Sequence, residues 1–244
     1  MQSAQLKTHR EPPPPSETKA HVWVLYLGAG IAAFTAIAYE LLLASYATFL
    51  LGASIFQYSF VLSLMMASMG MGALATRRKR FSSLEQFLGV EVLLSWLAAA
   101  AIPTLYAAFA STVPPHLVLL FFVVGIGVGI GMEIPLLNDM HLSGQGLSKI
   151  LFYDYFGGFV GGLFFPVLLL PELGFFRLGA VLAVVNAALG LVVTVVYRKE
   201  LRNRFKFWLG LTLITIALAA SGLYFAEALR RYMEWEFFKI YKVL

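Results

Sequence analysis

Seven stretches of this chain, roughly residues 22–50, 54–76, 84–110, 115–137, 148–170, 175–197 and 206–229, are each apolar over a long continuous run. A bilayer hydrocarbon core of about 30 Å is crossed by about 20 helical residues rising 1.5 Å each. In lipid the backbone has no water to bond, so a helix, which satisfies its own peptide groups, is the natural spanning element. Composition supports the same conclusion. Hydrophobic residues make up 60% and charged residues 13%, with mean hydropathy +0.80, whereas a soluble domain carries about 25% charged residues. The expected fold class is all-α, a polytopic transmembrane helical bundle of about seven spanning helices. Disordered chains, coiled coils and disulfide scaffolds are excluded. The absence of cysteine removes thiolate metal sites and cysteine nucleophiles as well.

Three regions follow. Residues 1–20, with the run Pro12 to Pro15, lack apolar periodicity and read as a disordered cytoplasmic tail. Residues 21–229 form the bundle, whose first apolar stretch is too long for a signal peptide. Residues 230–244 mix Arg231, Glu234 and Lys239 with Tyr232, Trp235 and Phe238, as an interfacial amphipathic helix does, or a linker to a domain absent from the chain. Cations fix the orientation. With the N-terminus inside, the loops between helices carry ten Lys and Arg on the cytoplasmic face, at 77–80, Lys149 and 198–206, against Arg177 alone on the other. That asymmetry places the N-terminus in the cytoplasm, in a membrane expected to be the bacterial inner membrane. The net charge of +5 is thereby a topology signal, and no nucleic-acid partner is expected.

Glu40, Glu91, Glu133 and Asp154 fall inside apolar stretches. A carboxylate in hydrocarbon costs at least about 2.5 kcal/mol, so each should face the bundle interior, a partner or water. Rise along the helices puts Glu91, Glu133 and Asp154 in the cytoplasmic third and Glu40 toward the outer face, level with Gln57. Two readings stand open for the inner acids. They form an anionic vestibule for a proton, metal ion or polyamine, or they pair with Lys149 and the Arg77–Arg80 cluster. His9, His21, His116 and His141 are scattered without ligand spacing, and no metal site or cofactor is expected in this chain. Asn186 reads as an interhelical hydrogen-bond partner, and no Ser/His/Asp constellation suggests a hydrolase.

Glycines are concentrated beside the acids. Gly125, Gly127, Gly129 and Gly131 precede Glu133, and Gly157, Gly158, Gly161 and Gly162 follow Asp154. Small residues four apart let helix backbones approach, so close packing of the fourth helix on the fifth is expected. Glycine-rich, proline-broken backbone could also unwind and offer carbonyls to a cation.

Three segments together carry a family resemblance: Ala38-Tyr39-Glu40-Leu41-Leu42 with Leu51-Gly52-Ala53-Ser54; Met132-Glu133-Ile134-Pro135-Leu136-Leu137; and Asp154-Tyr155-Phe156-Gly157-Gly158 through Gly161-Gly162 and Pro166 to Leu170-Pro171-Glu172-Leu173-Gly174. The chain resembles, over about residues 22–240, the membrane-spanning N-terminal half of bacterial spermidine synthase-like proteins. In these a helical bundle is fused to an aminopropyltransferase domain. More loosely, with Gly70, Gly72 and the basic loop after helix two, it is similar to half of a major facilitator transporter. The first resemblance implies polyamine chemistry, the transfer of an aminopropyl group from decarboxylated S-adenosylmethionine to putrescine or a related amine. The catalytic domain's glycine-rich nucleotide motif and acidic catalytic residues are not in this sequence. The function expected is therefore a membrane domain that anchors an aminopropyltransferase, fused or separate, and binds or passes a cationic amine through Glu133, Asp154, Glu91 and Glu40. Alternatives are a stand-alone cation or proton-coupled transporter, in a homodimer because seven helices are few for alternating access, and a structural anchor subunit.

Overall fold

The computed structural model describes residues 19–52, 54–76, 81–141 and 146–242. Nearly all of the expected tail, the Arg77–Arg80 cluster and residues 142–145 lie outside the described residues. The described chain is helical throughout: α1 (Lys19–Leu51), α2 (Ser54–Ala75), α3 (Ser83–Phe109), α4 (Pro115–Met140), α5 (Leu147–Phe164), a π turn at Phe165–Leu169, α6 (Leu170–Val196), the short α7 (Arg198–Leu201), a 3₁₀ turn at Arg202–Arg204, and α8 (Phe205–Lys242). Local chemistry sets several of these boundaries. The Ser82 hydroxyl accepts the Glu85 N–H at 3.2 Å and caps α3. Pro114 and Pro115 open α4, where a missing N–H costs nothing.

Six helices among the described residues are long and apolar enough to cross a membrane, and one of them runs 50 residues from Leu147 to Val196. That run holds the two separate stretches expected at 148–170 and 175–197. It is broken by the π turn, where the Leu170 N–H reaches back five residues to the Phe165 carbonyl, and by Gly174 in the left-handed region at φ 65°. The run doubles back there. Gly30 and Phe34 of α1 meet Gly157 and Gly161 of α5 in the same chain direction, whereas Gly28 meets Leu189 and Leu42 meets Gly179 of α6 in the opposite one. The loop expected at 198–206 is instead α7 and its 3₁₀ turn, with Arg202 at φ 31°. Residues 230–242 continue α8 without a break.

The glycines do their packing in pairs other than the one expected. Alternate positions on a helix point about 200° apart, so the four alternating glycines of α4 serve two faces. Gly127 and Gly131 lie against α2, at Ser68 and at the Met69 backbone, while Gly125 and Gly129 lie against Leu97 and Leu94 of α3. Gly72 returns the contact from α2 to the Val128 carbonyl. Gly157 and Gly161 abut the carbonyls of Gly30 and Phe34, and Gly158 and Gly162 face Ile37, all on α1. The expected α4–α5 packing is thus corrected to α4 on α2 and α3, and α5 on α1.

A methyl group at Gly131 or Gly157 would run into opposing backbone, which cannot rotate aside as a side chain does. Gly131→Ala and Gly157→Ala should each destabilise by about 1–3 kcal/mol. Gly70→Ala, with open space around its Cβ position, should leave the thermal midpoint of the detergent-solubilised protein unchanged or raise it slightly.

Candidate functional site

Antiparallel packing of α3 on α4 brings two acids to one level. Leu94 stands against Gly129 and Leu97 against Gly125, so continuing the register one turn sets Glu91 of α3 opposite Glu133 of α4. Gly190 of α6 passes the same spot: a Cβ there would lie 3.4 Å from that of Glu91. Asn186 is one turn earlier on α6, and Tyr39 enters from α1, close enough for both carboxylates to act on it electrostatically. The side chains are sealed off. Relative exposure is 0% for Glu91 and Asn186, 1% for Tyr39 and 3% for Glu133.

What marks this group is its unmet hydrogen bonding. Both carboxylate oxygens of Glu91, one of Glu133, the Tyr39 hydroxyl and both amide atoms of Asn186 are buried without a partner. Buried polar atoms are nearly always bonded, and each exception calls for a physical reason. With the carboxyl groups ionised, four of these six atoms are acceptors only, and donors alone could satisfy them. Two ionised carboxylates cannot stay in such surroundings alone. A positive charge, a proton or an ammonium, has to accompany them.

The other expected residues sit differently. Asp154 on α5 is half-buried. Glu40 is half-buried and stands outside the group. Lys149, a partner for the inner acids in one of the two readings, lies over the Tyr26 ring, 5.8 Å from its centroid. Asn186 lacks the interhelical hydrogen bond expected of it. His141 caps α4 as a buried residue whose Nε2 is 3.2 Å from the Tyr26 hydroxyl. Tyr26 in turn stacks on Tyr153 at 5.6 Å, so aromatic rings and Lys149 close the end of the bundle next to Asp154. Sequence reasoning missed Tyr39 as a site residue, although it stands directly before Glu40 in one of the segments that carry the resemblance.

An unpartnered buried acid weakens the fold that holds it. Glu91→Met, similar in volume and free of polar demand, should raise stability by about 1–3 kcal/mol, read as a higher thermal midpoint in detergent. A lower midpoint would mean that Glu91 has a structural partner after all.

No protein-family model matches the chain, and no solved structure matches it. The chain is 33% identical over 220 residues to polyamine aminopropyltransferase 1 of Streptomyces coelicolor, covering 86% of this chain and 41% of that protein. It is 33% identical over 185 residues to polyamine aminopropyltransferase 2 of Ralstonia nicotianae, covering 73% and 36%. With polyamine aminopropyltransferase of Mycobacterium tuberculosis the identity is 35% over 193 residues, covering 73% and 37%. These matches overturn the expected function of an anchor or transporter set apart from the enzyme. The likeness runs through the apolar helices themselves, within chains named as transferases, and a search for soluble catalytic motifs is blind to it. The relatives of this chain are polyamine aminopropyltransferases, and it spans about two fifths of their length.

Proposed function

We propose that this chain works within a membrane-embedded polyamine aminopropyltransferase, and that Glu91 and Glu133 hold an ammonium group of the amine in that reaction. The observation that carries the reading is the excess of buried, unpartnered acceptors on these two residues. An alkylammonium supplies both missing requirements, positive charge and several N–H donors in one compact head. Inside a low-dielectric bundle its attraction to two carboxylates greatly exceeds that in water. Asp154, half-buried on α5, adds negative charge on the approach side, and Glu40 serves as a more distant attractor. The relatives' names supply the reaction class, an aminopropyl transfer.

Length and apolarity of the helices support insertion in the membrane, and the reversal at Gly174 accommodates seven crossings. The cation asymmetry of the loops supports a cytoplasmic N-terminus.

Calorimetry on the full chain in detergent tests the site, with spermidine as the probe in an amine-free buffer. Saturable binding is expected, weakened at least about tenfold by Glu133→Gln, in keeping with the loss of one charged hydrogen bond. Glu85→Gln, which removes the surface partner of Arg204, should change nothing. Native affinity in both Glu91→Gln and Glu133→Gln would overturn the assignment. Topology has its own test, because the chain has no cysteine. In intact cells a membrane-impermeant maleimide should label Thr112→Cys and spare Lys199→Cys. The reverse pattern would invert the orientation.

A further inference from the structure

A groove of about 320 Å³ runs along the outside of the bundle between α1 and α6. Its walls are apolar, with Val24, Leu27 and Ile31 on one side and Val184, Ala188 and Val192 on the other. Leu27, Ile31 and Val192 are 53%, 39% and 49% exposed, so the groove opens sideways. From Val184 to Val192 it extends about 12 Å by helical rise, most of one leaflet of a core about 30 Å thick.

The two ends of the groove differ. Past Ile31 and Val184 the helices continue as apolar chain. Past Val24 and Val192 lies a ring-and-cation cluster. His21 stacks on Tyr197 at 4.7 Å and its Nε2 lies 3.3 Å from the Val196 carbonyl, tying α1 to the end of α6. Directly beyond, Arg198, Lys199 and Arg202 are exposed within five residues, with Glu200 as the acid among them. The backbone turns sharply here, at Arg202. An apolar slot one leaflet deep, opening under a net positive cluster, matches an acyl chain below an anionic headgroup in shape and in charge.

We infer that the α1–α6 groove binds one anionic phospholipid, its acyl chain lying between Val24–Ile31 and Val184–Val192 and its phosphate held by Arg198, Lys199 and Arg202. The inference rests on the membrane reading above and is independent of the amine site, so the maleimide experiment can fail without bearing on spermidine binding, and the reverse.

Native mass spectrometry of the full chain, extracted from nanodiscs of equal phosphatidylglycerol and phosphatidylcholine, tests it. One retained phosphatidylglycerol per chain is expected. Ala188→Phe, which fills the groove, should reduce its retention at least about tenfold. Arg198→Gln with Lys199→Gln should reduce the preference for phosphatidylglycerol over phosphatidylcholine about fivefold per cation removed, with the thermal midpoint unchanged. Equal retention of both lipids by the native chain would overturn the inference. So would undiminished phosphatidylglycerol in a folded Ala188→Phe chain, or a second copy of the chain cross-linked across the groove.

Discussion

Backbone lies against backbone where the helices of this bundle meet most tightly. At Gly131 and Met69, at Gly72 and Val128, and at Gly157 and Gly30, the room a side chain would need is taken by a neighbouring peptide group. In a membrane, where lipid is as apolar as leucine, such close approach gives helices a reason to prefer each other over solvent. The register it fixes is also what sets Glu91 opposite Glu133. Helix α4, lacking side chains on two opposite faces, is gripped by α2 on one and α3 on the other, and its acid cannot turn away.

That confinement explains how the bundle tolerates a group that destabilises it. Glu91, Glu133, Tyr39 and Asn186 come from four different helices, and all are buried with unmet polar atoms. A core built for stability alone would fill this place with leucine. Ion pairing is put elsewhere: Glu85 with Arg204, and Glu227 with Arg177 and Arg231, all outside the interior. The interior acids take part in no ion pair among the described residues.

Much of the fold was legible because a helix long and apolar enough to cross a bilayer leaves an unbroken apolar run in the sequence. Apolar runs of about twenty residues and the short breaks between them located nearly every helix. Residues 147–196 were harder, because a left-handed glycine and a π turn reverse the chain while keeping it helical on either side, and hydropathy is blind to direction. The glycine pattern announced close packing but not the partner, since spacing alone does not reveal which of two faces meets which neighbour. For the site, the cost of burial picked out Glu91 and Glu133 directly. Tyr39 and Asn186 are ordinary within an apolar helix until rotation and register show them unpartnered. The enzyme relationship was visible in the motifs, but its weight was misjudged by looking for catalytic residues of a soluble kind.

The closest pairs are α1 with α5 and α2 with α4, and α4 touches α5 only slightly. Glu133 and Asp154 thus stand on helices whose close packing is with different neighbours. Helix α3 packs on both α4 and α6, through Leu94 at Gly129 and Glu91 at Gly190, so any change in its rotation would move Glu91 against two neighbours at once.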